Sequence, residues 1–332
     1  MKKFSITILG DGGWGTTLAI ILSQKGFKVT LWGAFPEYST YLNRKRINTK
    51  FLPGITIPKN VEITSNLACA FLDKDIVIFA IPSQHLRSVL RKIKKLKFNR
   101  KALYVSVIKG IEIATLQRMS EVIKDELGNI RLAVLSGPTI AHEVALGIPT
   151  TAVVAAHDKQ LRKTIQSVFM TDKFRIYTNP DVVGVELGGS LKNVIAIACG
   201  ACDGLGFGAN TKAAILSRGL AEISRLGQAM GAKISTFSGL SGLGDLVTTC
   251  ISPFSRNRSL GEAIGKGSSL KQVEAHMQMV AEGVPTAKSA YSLSRKYKVA
   301  MPITKEVYAV LYQNKSPLKA VKDLMTRAKK EE

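Results

Sequence analysis

The sequence predicts an α/β chain: a mostly parallel sheet covered by helices over its first half, then an all-helical second half. Three observations carry this. Short apolar runs alternate with helical patterns up to about residue 180, the sequence form of a parallel sheet. A glycine cluster, Gly10-Asp11-Gly12-Gly13-Trp14-Gly15, stands directly between the first apolar run and the first helical pattern. Beyond Asn179-Pro180 the strand signal fades and a 3.6-residue spacing replaces it, clearest from Ser217 to Leu226. The expected division is residues 1–181 for the sheet domain and 182–332 for the helical one. With 332 residues, 45% of them hydrophobic, the chain is long enough for two cores.

Taken in order, Phe4–Leu9, Val29–Trp32, Ile76–Ile81, Leu103–Val107, Leu132–Leu135 and Ala152–Ala155 read as strands. They are apolar almost throughout, as strands covered on both faces must be. Thr16–Lys25, Gln84–Lys95, Thr115–Leu127 and Asp158–Val168 read as the helices between them. Asp158 suits an N-cap and Pro36 a helix start. In the second half, Val182–Ala201, Thr211–Met230, Ser259–Gly265, Ser269–Met279, Thr286–Tyr297 and Ile303–Leu311 read as helices.

Lys2 and Lys3 before Phe4–Leu9 mimic a signal peptide, but the apolar stretch is short and Asp11 with glycines follows it. Apolar runs such as Ile76–Ile81 fall short of the roughly 20 residues of a membrane span. A cytoplasmic protein with no membrane insertion is therefore expected. The four cysteines, Cys69, Cys199, Cys202 and Cys250, fit a reducing compartment. Cys199-Gly-Ala-Cys202 has the C-x-x-C form but no second ligand pair, so core cysteines are expected and no metal.

The net charge of +23, from 47 basic and 24 acidic residues, admits two readings. One is nucleic-acid binding; the other is a basic background plus anionic ligands. The densest basic run, Arg91 to Lys101, spaces its apolar residues as one buried helix stripe followed by a loop. No nucleic-acid motif accompanies it, so no nucleic-acid partner is expected.

The glycine cluster is a G-x-G-x-x-G after a strand and opening a helix, the dinucleotide fingerprint of a Rossmann domain. Gly10 permits the tight turn, Gly12 lets a pyrophosphate approach the backbone, and Gly15 lets helix and strand pack closely. N–H groups at the helix start then face the phosphates. The second strand runs into Gly33-Ala34-Phe35 with no acid before Glu37. An acid there would bind the ribose of NAD and repel the 2′-phosphate of NADP. Its absence predicts that NADPH is accepted at least as readily as NADH; Arg44, Lys45 and Arg46 lie a little downstream, though nothing in the sequence brings them to the site.

Ile81-Pro82-Ser83 and Lys109 follow apolar strands, at the end where such sheets bind ligands. Lys109 reads equally as a solvated loop lysine. In Ser136-Gly137-Pro138-Thr139-Ile140-Ala141-His142-Glu143 the chain turns from strand to helix, and His142 and Glu143 read as surface residues. Lys192 is more informative. Its surroundings, Val185 to Ala198, are apolar on nearly every side, and a buried lysine needs a partner or a task. Gly188 and Gly189 cost helix stability, which points to close approach of backbone or ligand. Burial also lowers a lysine pKa, which suits proton transfer at a carbonyl oxygen. Ser238 to Leu246 is a glycine-dense loop ending at Asp245, and Ser255-Arg256-Asn257-Arg258 supplies a fork for phosphate. Together they read as a pocket for a small anion.

These segments resemble bacterial glycerol-3-phosphate dehydrogenase, the NAD(P)-dependent enzyme of phospholipid synthesis, nearly end to end. The resemblance rests on Gly10–Ala19 with Trp14-Gly15-Thr16, Ser136–Glu143, Glu186–Ala198 with Lys192-Asn193, Gly204–Arg218, Gly239–Cys250, Ser255–Arg258 and Glu282-Gly283. Asp11 departs from it, since the family usually has alanine there. The resemblance implies hydride transfer from NADH or NADPH to C2 of dihydroxyacetone phosphate, giving sn-glycerol 3-phosphate. It implies Lys192 as proton donor, and Lys109, Gly137, Thr139, Asp245, Ser255, Arg256 and Asn257 as substrate contacts. It also implies that Gly13, Trp14, Ala34, Lys109, Ala141, Arg256, Val280 and Glu282 line the cofactor, beside Gly10, Gly12 and Gly15. Val280 and Glu282 rest on resemblance alone. A phosphorylated small molecule is the expected partner; the sequence leaves the assembly open, a homodimer being one option. Decarboxylating relatives of the 6-phosphogluconate or 3-hydroxyisobutyrate type share the plan, but they separate lysine from asparagine by several residues.

Overall fold

The structure, a computed structural model, describes residues 4–96, 98–277, 279–329 and 331. Lys2, Lys3, Lys97 of the basic run and Gln278 of the expected helix Ser269–Met279 lie outside the described residues. The chain divides into two compact units, one running up to Lys109 and over Gln117–Glu186, the other comprising Gly110–Leu116 and everything from Leu187 onward.

The first unit is a Rossmann sheet of eight strands: β1 (Ser5–Leu9), β2 (Lys28–Trp32), β5 (Val61–Thr64), β6 (Ile76–Phe79), β7 (Leu103–Ser106), β8 (Arg131–Ser136), β9 (Thr150–Ala155) and β10 (Phe174–Asn179). Strands β3 (Ile47–Asn48) and β4 (Leu52–Thr56) form a separate antiparallel hairpin. The sheet order is β10-β9-β8-β7-β6-β1-β2-β5, parallel at every pairing except β8 with β9. The continuous apolar runs follow from burial on both faces. In β6, Ile76 and Ile78 enter one core while Val77 and Phe79 enter the other, as a period of two requires. Leu9 pairs with Trp32 and with Phe79, which in turn pairs with Ser106. The carboxyl ends of four strands therefore come level, and the glycine loop, Gly33, Ile81 and Val107 follow from that edge.

Helix Gly13–Gln24 and helix Lys159–Phe169 lie close to their expected spans, and Asp158 caps the latter by accepting from Gln160 N at 2.8 Å and Leu161 N at 3.2 Å. The basic run forms helix Leu86–Lys94, burying Leu86, Val89, Leu90 and Ile93. Its Arg87 and Arg91 meet Glu126 at 2.8 and 3.2 Å. Strands β5 and β10 were not expected. Both are edge strands; in β10 Phe174 and Ile176 face inward while Arg175 and Tyr177 are exposed.

In the second unit, residues 187–204 of helix Val182–Gly204 meet helix Arg256–Gly265 backbone to backbone. A Cβ on Gly200 would lie 1.9 Å from Arg258 O, and one on Gly261 would lie 2.1 Å from Ile197 O. Only glycine permits so close an approach, and it brings the Arg256-Asn257 turn onto the lysine helix. Helix Val182–Gly204 also corrects the expectation about membrane-length segments: Glu186 and Lys192 break its run in the sequence, yet by length and composition it qualifies as a span. Of its most apolar window, 89% is buried in the protein. The segment Gly110–Leu116 joins this unit because Ser190 Oγ donates to Gly110 O at 3.2 Å and Ser289 Oγ to Ile111 O at 3.1 Å. The expected helix Thr115–Leu127 accordingly begins only at Met119.

The buried Glu222 carboxylate caps helix Pro302–Tyr312, accepting from Ile303 N at 2.6 Å and from Thr304 N and Oγ1 at 3.1 Å each. Burial raises its carboxyl above the usual range, against the pull of those bonds. A raised acid binds its proton more tightly folded than unfolded, so stability falls as pH rises from the unfolded value through the folded one. Urea unfolding of Glu222→Gln, compared with the wild type from pH 4.5 to 7, is expected to lack that component of the decline. Parallel pH curves for the two proteins would contradict it.

Candidate functional site

In the first unit, two of the three fingerprint glycines are required by the protein's own packing. Gly10 has φ +123°, and a Cβ there would lie 2.4 Å from Ala80 O; one on Gly15 would lie 1.9 Å from Gly10 O. Gly13 is confined too, 2.5 Å from Phe51 O by the same construction. Gly12 differs: a Cβ on it would meet nothing within 4 Å. Packing does not demand glycine there, whereas a ligand lying against the backbone does. No side chain caps the helix that Gly12 begins, so its first N–H groups are available to an anion. The loop fits a dinucleotide pyrophosphate.

Around this loop, Thr17 Oγ1 donates to Ala141 O at 3.0 Å, and Trp14 sets its indole edge-on to Phe174 with centroids 6.3 Å apart. Ala34 is exposed, and Glu37 is exposed in the first turn of helix Pro36–Lys45. Lys109 Nζ donates to Gly137 O at 2.8 Å and to Thr139 Oγ1 at 3.3 Å. Gly137 holds φ +135° with its Cα face against Ala152, which turns its carbonyl to that lysine. Lys109, Gly137 and Thr139 are thus one cluster. His142 and Glu143 are half-buried on helix Ala141–Ala145.

In the second unit, Lys192 is 5% exposed and Asp245 1%. Lys192 Nζ donates to Asp245 Oδ1, and to Thr249 Oγ1 at 2.5 Å. Thr249 Oγ1 in turn donates to Asp245 O at 2.7 Å. Asp245 supplies the counter-charge that a buried ammonium requires. Asp245 does not end a loop, as the sequence suggested: a π-turn over Leu240–Gly244 leads into helix Asp245–Ile251, which Asp245 opens. That helix places Thr249 one turn on from Asp245. Thr249 is not legible in the sequence because its helix follows a glycine-dense turn. The D-x-x-x-T spacing was the available signal. Gly188 admits this loop, since a Cβ on it would lie 2.4 Å from Ser241 O.

Beside the pair, Asn257 Nδ2 donates to Asn193 Oδ1 at 2.9 Å, and Asn257 Oδ1 accepts from Gly283 N at 2.8 Å. Ser255 caps helix Arg256–Gly265, its Oγ accepting from Arg258 N at 3.3 Å. Arg256 is exposed and donates through Nη1 to Val280 O at 2.8 Å. Val280, which composition and periodicity do not single out, therefore stands with Arg256, and the charge of Glu282 acts on the same guanidinium. The C-x-x-C offers no such chemistry. A hydrogen bond with Cys250 and burial raise the Cys199 thiol, and burial pushes Cys202 up to about 11. Among the described residues no three metal-ligating side chains cluster.

Residues 5–162 match the family model described as NAD-dependent glycerol-3-phosphate dehydrogenase N-terminus, and residues 181–322 match its C-terminus counterpart. A "Glycerol-3-phosphate dehydrogenase [NAD(P)+]" of Prosthecochloris aestuarii is 50% identical over 330 residues, covering 98% of this chain and 99% of that protein. One of Citrifermentans bemidjiense is also 50% identical, covering 98% of each. The crystal structure of glycerol-3-phosphate dehydrogenase from Coxiella burnetii superposes with a TM-score of 0.95 at 36% identity, over 98% of this chain and 99% of that one.

Proposed function

The chain belongs to the NAD-dependent glycerol-3-phosphate dehydrogenase family, and from that premise we propose that Lys192, held by Asp245 and Thr249, is its general acid. The enzyme is an oxidoreductase that reduces dihydroxyacetone phosphate reversibly to sn-glycerol 3-phosphate with NADH or NADPH. The bound nicotinamide supplies the hydride. The side chains supply the rest. As C2 gains a hydride, charge develops on its oxygen, and Lys192 Nζ gives that oxygen a proton. In reverse the amine takes the proton back. Asp245 and Thr249 fix the lysine's position, so that little reorganisation accompanies the transfer.

Arg256 and Asn257, with Ser255 capping their turn, bind the substrate's phosphate through a forked charge-assisted contact. Lys109, Gly137 and Thr139 are also assigned to the substrate. Gly10, Gly12, Gly13, Trp14, Gly15, Ala34, Lys109, Ala141, Arg256, Val280 and Glu282 are assigned to the cofactor. Residues 1–181 thus serve the cofactor chiefly, and 182–332 the chemistry. We place the reaction in the cytoplasm, supported by four unpaired thiols, with its product feeding glycerophospholipid assembly.

The observation that carries this reading is the buried Lys192–Asp245–Thr249 cluster. Loss of nicotinamide absorbance with dihydroxyacetone phosphate, compared with hydroxyacetone, tests it. The kcat/KM for hydroxyacetone is expected to be lower by at least about 10²-fold, because binding energy from the phosphate is lost. Arg256→Lys, which keeps the charge but not the fork, is expected to raise KM for the phosphorylated ketone about tenfold. Equal turnover of the two ketones would overturn phosphate recognition.

A further inference from the structure

The end of β2 carries no acid of its own, yet a carboxylate stands there. A Cβ on Gly33, the residue after β2, would lie 2.2 Å from Asp11 Oδ2 and 3.0 Å from Ser39 Oγ. Asp11 therefore fills the volume that a side chain at position 33 would take. Asp11 Oδ2 and Ser39 Oγ are both buried without a hydrogen-bond partner, and such groups call for an explanation. The loop that carries Asp11 is tied down, its carbonyl accepting from Asn48 Nδ2 at 2.8 Å and Thr16 Oγ1 at 3.3 Å.

We propose that Asp11 is the acid that reads the adenosine ribose, standing in from the glycine loop for the carboxylate missing at Gly33 and Ala34, so that the enzyme prefers NADH. This rests on the dinucleotide reading of the loop. It reverses the expectation, drawn from the chain around Gly33, that NADPH is accepted at least as readily. A ribose 2′-hydroxyl donates to a carboxylate; a 2′-phosphate brings a second negative charge against it. Burial lifts the Asp11 carboxyl, with its own backbone N–H and the charge of Lys50 opposing. A donated hydroxyl favours the ionised form of the acid and a phosphate disfavours it, which widens the discrimination.

The basic residues that lie a little downstream in the sequence are placed elsewhere. Arg46 donates to Pro58 O and, at 2.7 Å, to Val61 O. Arg44 and Lys45 are exposed in the last turn of helix Pro36–Lys45, roughly 12 Å along its axis from the end that follows Ala34. Lys50 is exposed, with its ammonium over the Phe51 ring at 5.2 Å from the centroid, so water screens its charge.

The test is kcat/KM for NADH and NADPH at fixed dihydroxyacetone phosphate, with the Kd of each nucleotide from its fluorescence, in wild type, Asp11→Asn and Asp11→Ala. The wild type is expected to favour NADH by more than tenfold. Both variants are expected to shrink that preference at least tenfold, mainly through a gain with NADPH. A wild-type ratio near one, with both nucleotides bound, would overturn the role of Asp11 and leave the cofactor site standing. A preference that survives in both variants would do the same. Recovery in Asp11→Ala but not in Asp11→Asn would show that bulk, not charge, discriminates, and would also overturn it. Binding of neither nucleotide would undo the dinucleotide reading itself.

Discussion

Lys192→Met is expected to lower kcat by at least about 10²-fold, the usual worth of a positioned general acid, with nucleotide Kd nearly unchanged. Methionine keeps the length and apolar stem of the lysine and removes only the proton it gives. It also takes the ammonium away from the buried Asp245 carboxylate, so a loss of activity by unfolding must be separated from a loss of chemistry. Lys192→Arg makes that separation. A guanidinium can still face Asp245 and keep the buried pair charged, but it does not release a proton near neutral pH. Both variants are expected to lose turnover, while Arg alone keeps the wild-type urea midpoint. Turnover near the wild-type level in Lys192→Arg would remove proton donation from Lys192.

Asp245→Ala is expected to destabilise the protein by about 3–5 kcal/mol, because it removes the carboxylate that pairs with an ammonium only 5% exposed. The same change also frees Thr249 Oγ1 and Nζ to rearrange, so turnover should fall with stability. The double variant Asp245→Leu with Lys192→Met replaces both charges with apolar groups of similar size. Buried pairs exchanged in this way are often neutral or stabilising, so its urea midpoint is expected near the wild type or above it. Such a result in an inactive protein would show that the pair is kept for chemistry and not for stability. Loss of less than about 1 kcal/mol in Asp245→Ala would contradict the burial argument.

How much of this was legible in the sequence depended on how local each signal was. The central strands were legible because covering both faces leaves apolar runs such as Ile76–Phe79. The edge strands β5 and β10 were not, since half of each faces water and the pattern thins to alternate residues. Lys192 was legible because one charge in an apolar helix has few explanations. Its anchor Thr249 was not, because the helix that aims it follows a glycine-dense turn that reads as loop. The helix carrying Arg256 was expected three residues late; Ser255 is its cap, a pairing visible only once its hydroxyl meets Arg258 N. Asp11 shows the limit most plainly. By place in the chain such an acid belongs at the end of β2, whereas the carboxylate there arrives from the neighbouring strand's loop, whose strand pairs Leu9 with Trp32. Parallel pairing makes such neighbours, and a one-dimensional pattern does not record them.

The central claim is that Lys192 moves a proton and does more than hold a fold together. Rescue of Lys192→Ala by small primary amines tests it most directly, since the truncated side chain leaves room for an ammonium at the same place. Turnover of dihydroxyacetone phosphate is expected to rise with amine concentration, and among amines of similar size to follow their acidity, as general acid catalysis requires. A variant that still binds nucleotide and substrate, yet turns over at one low rate whatever amine is added, would contradict it.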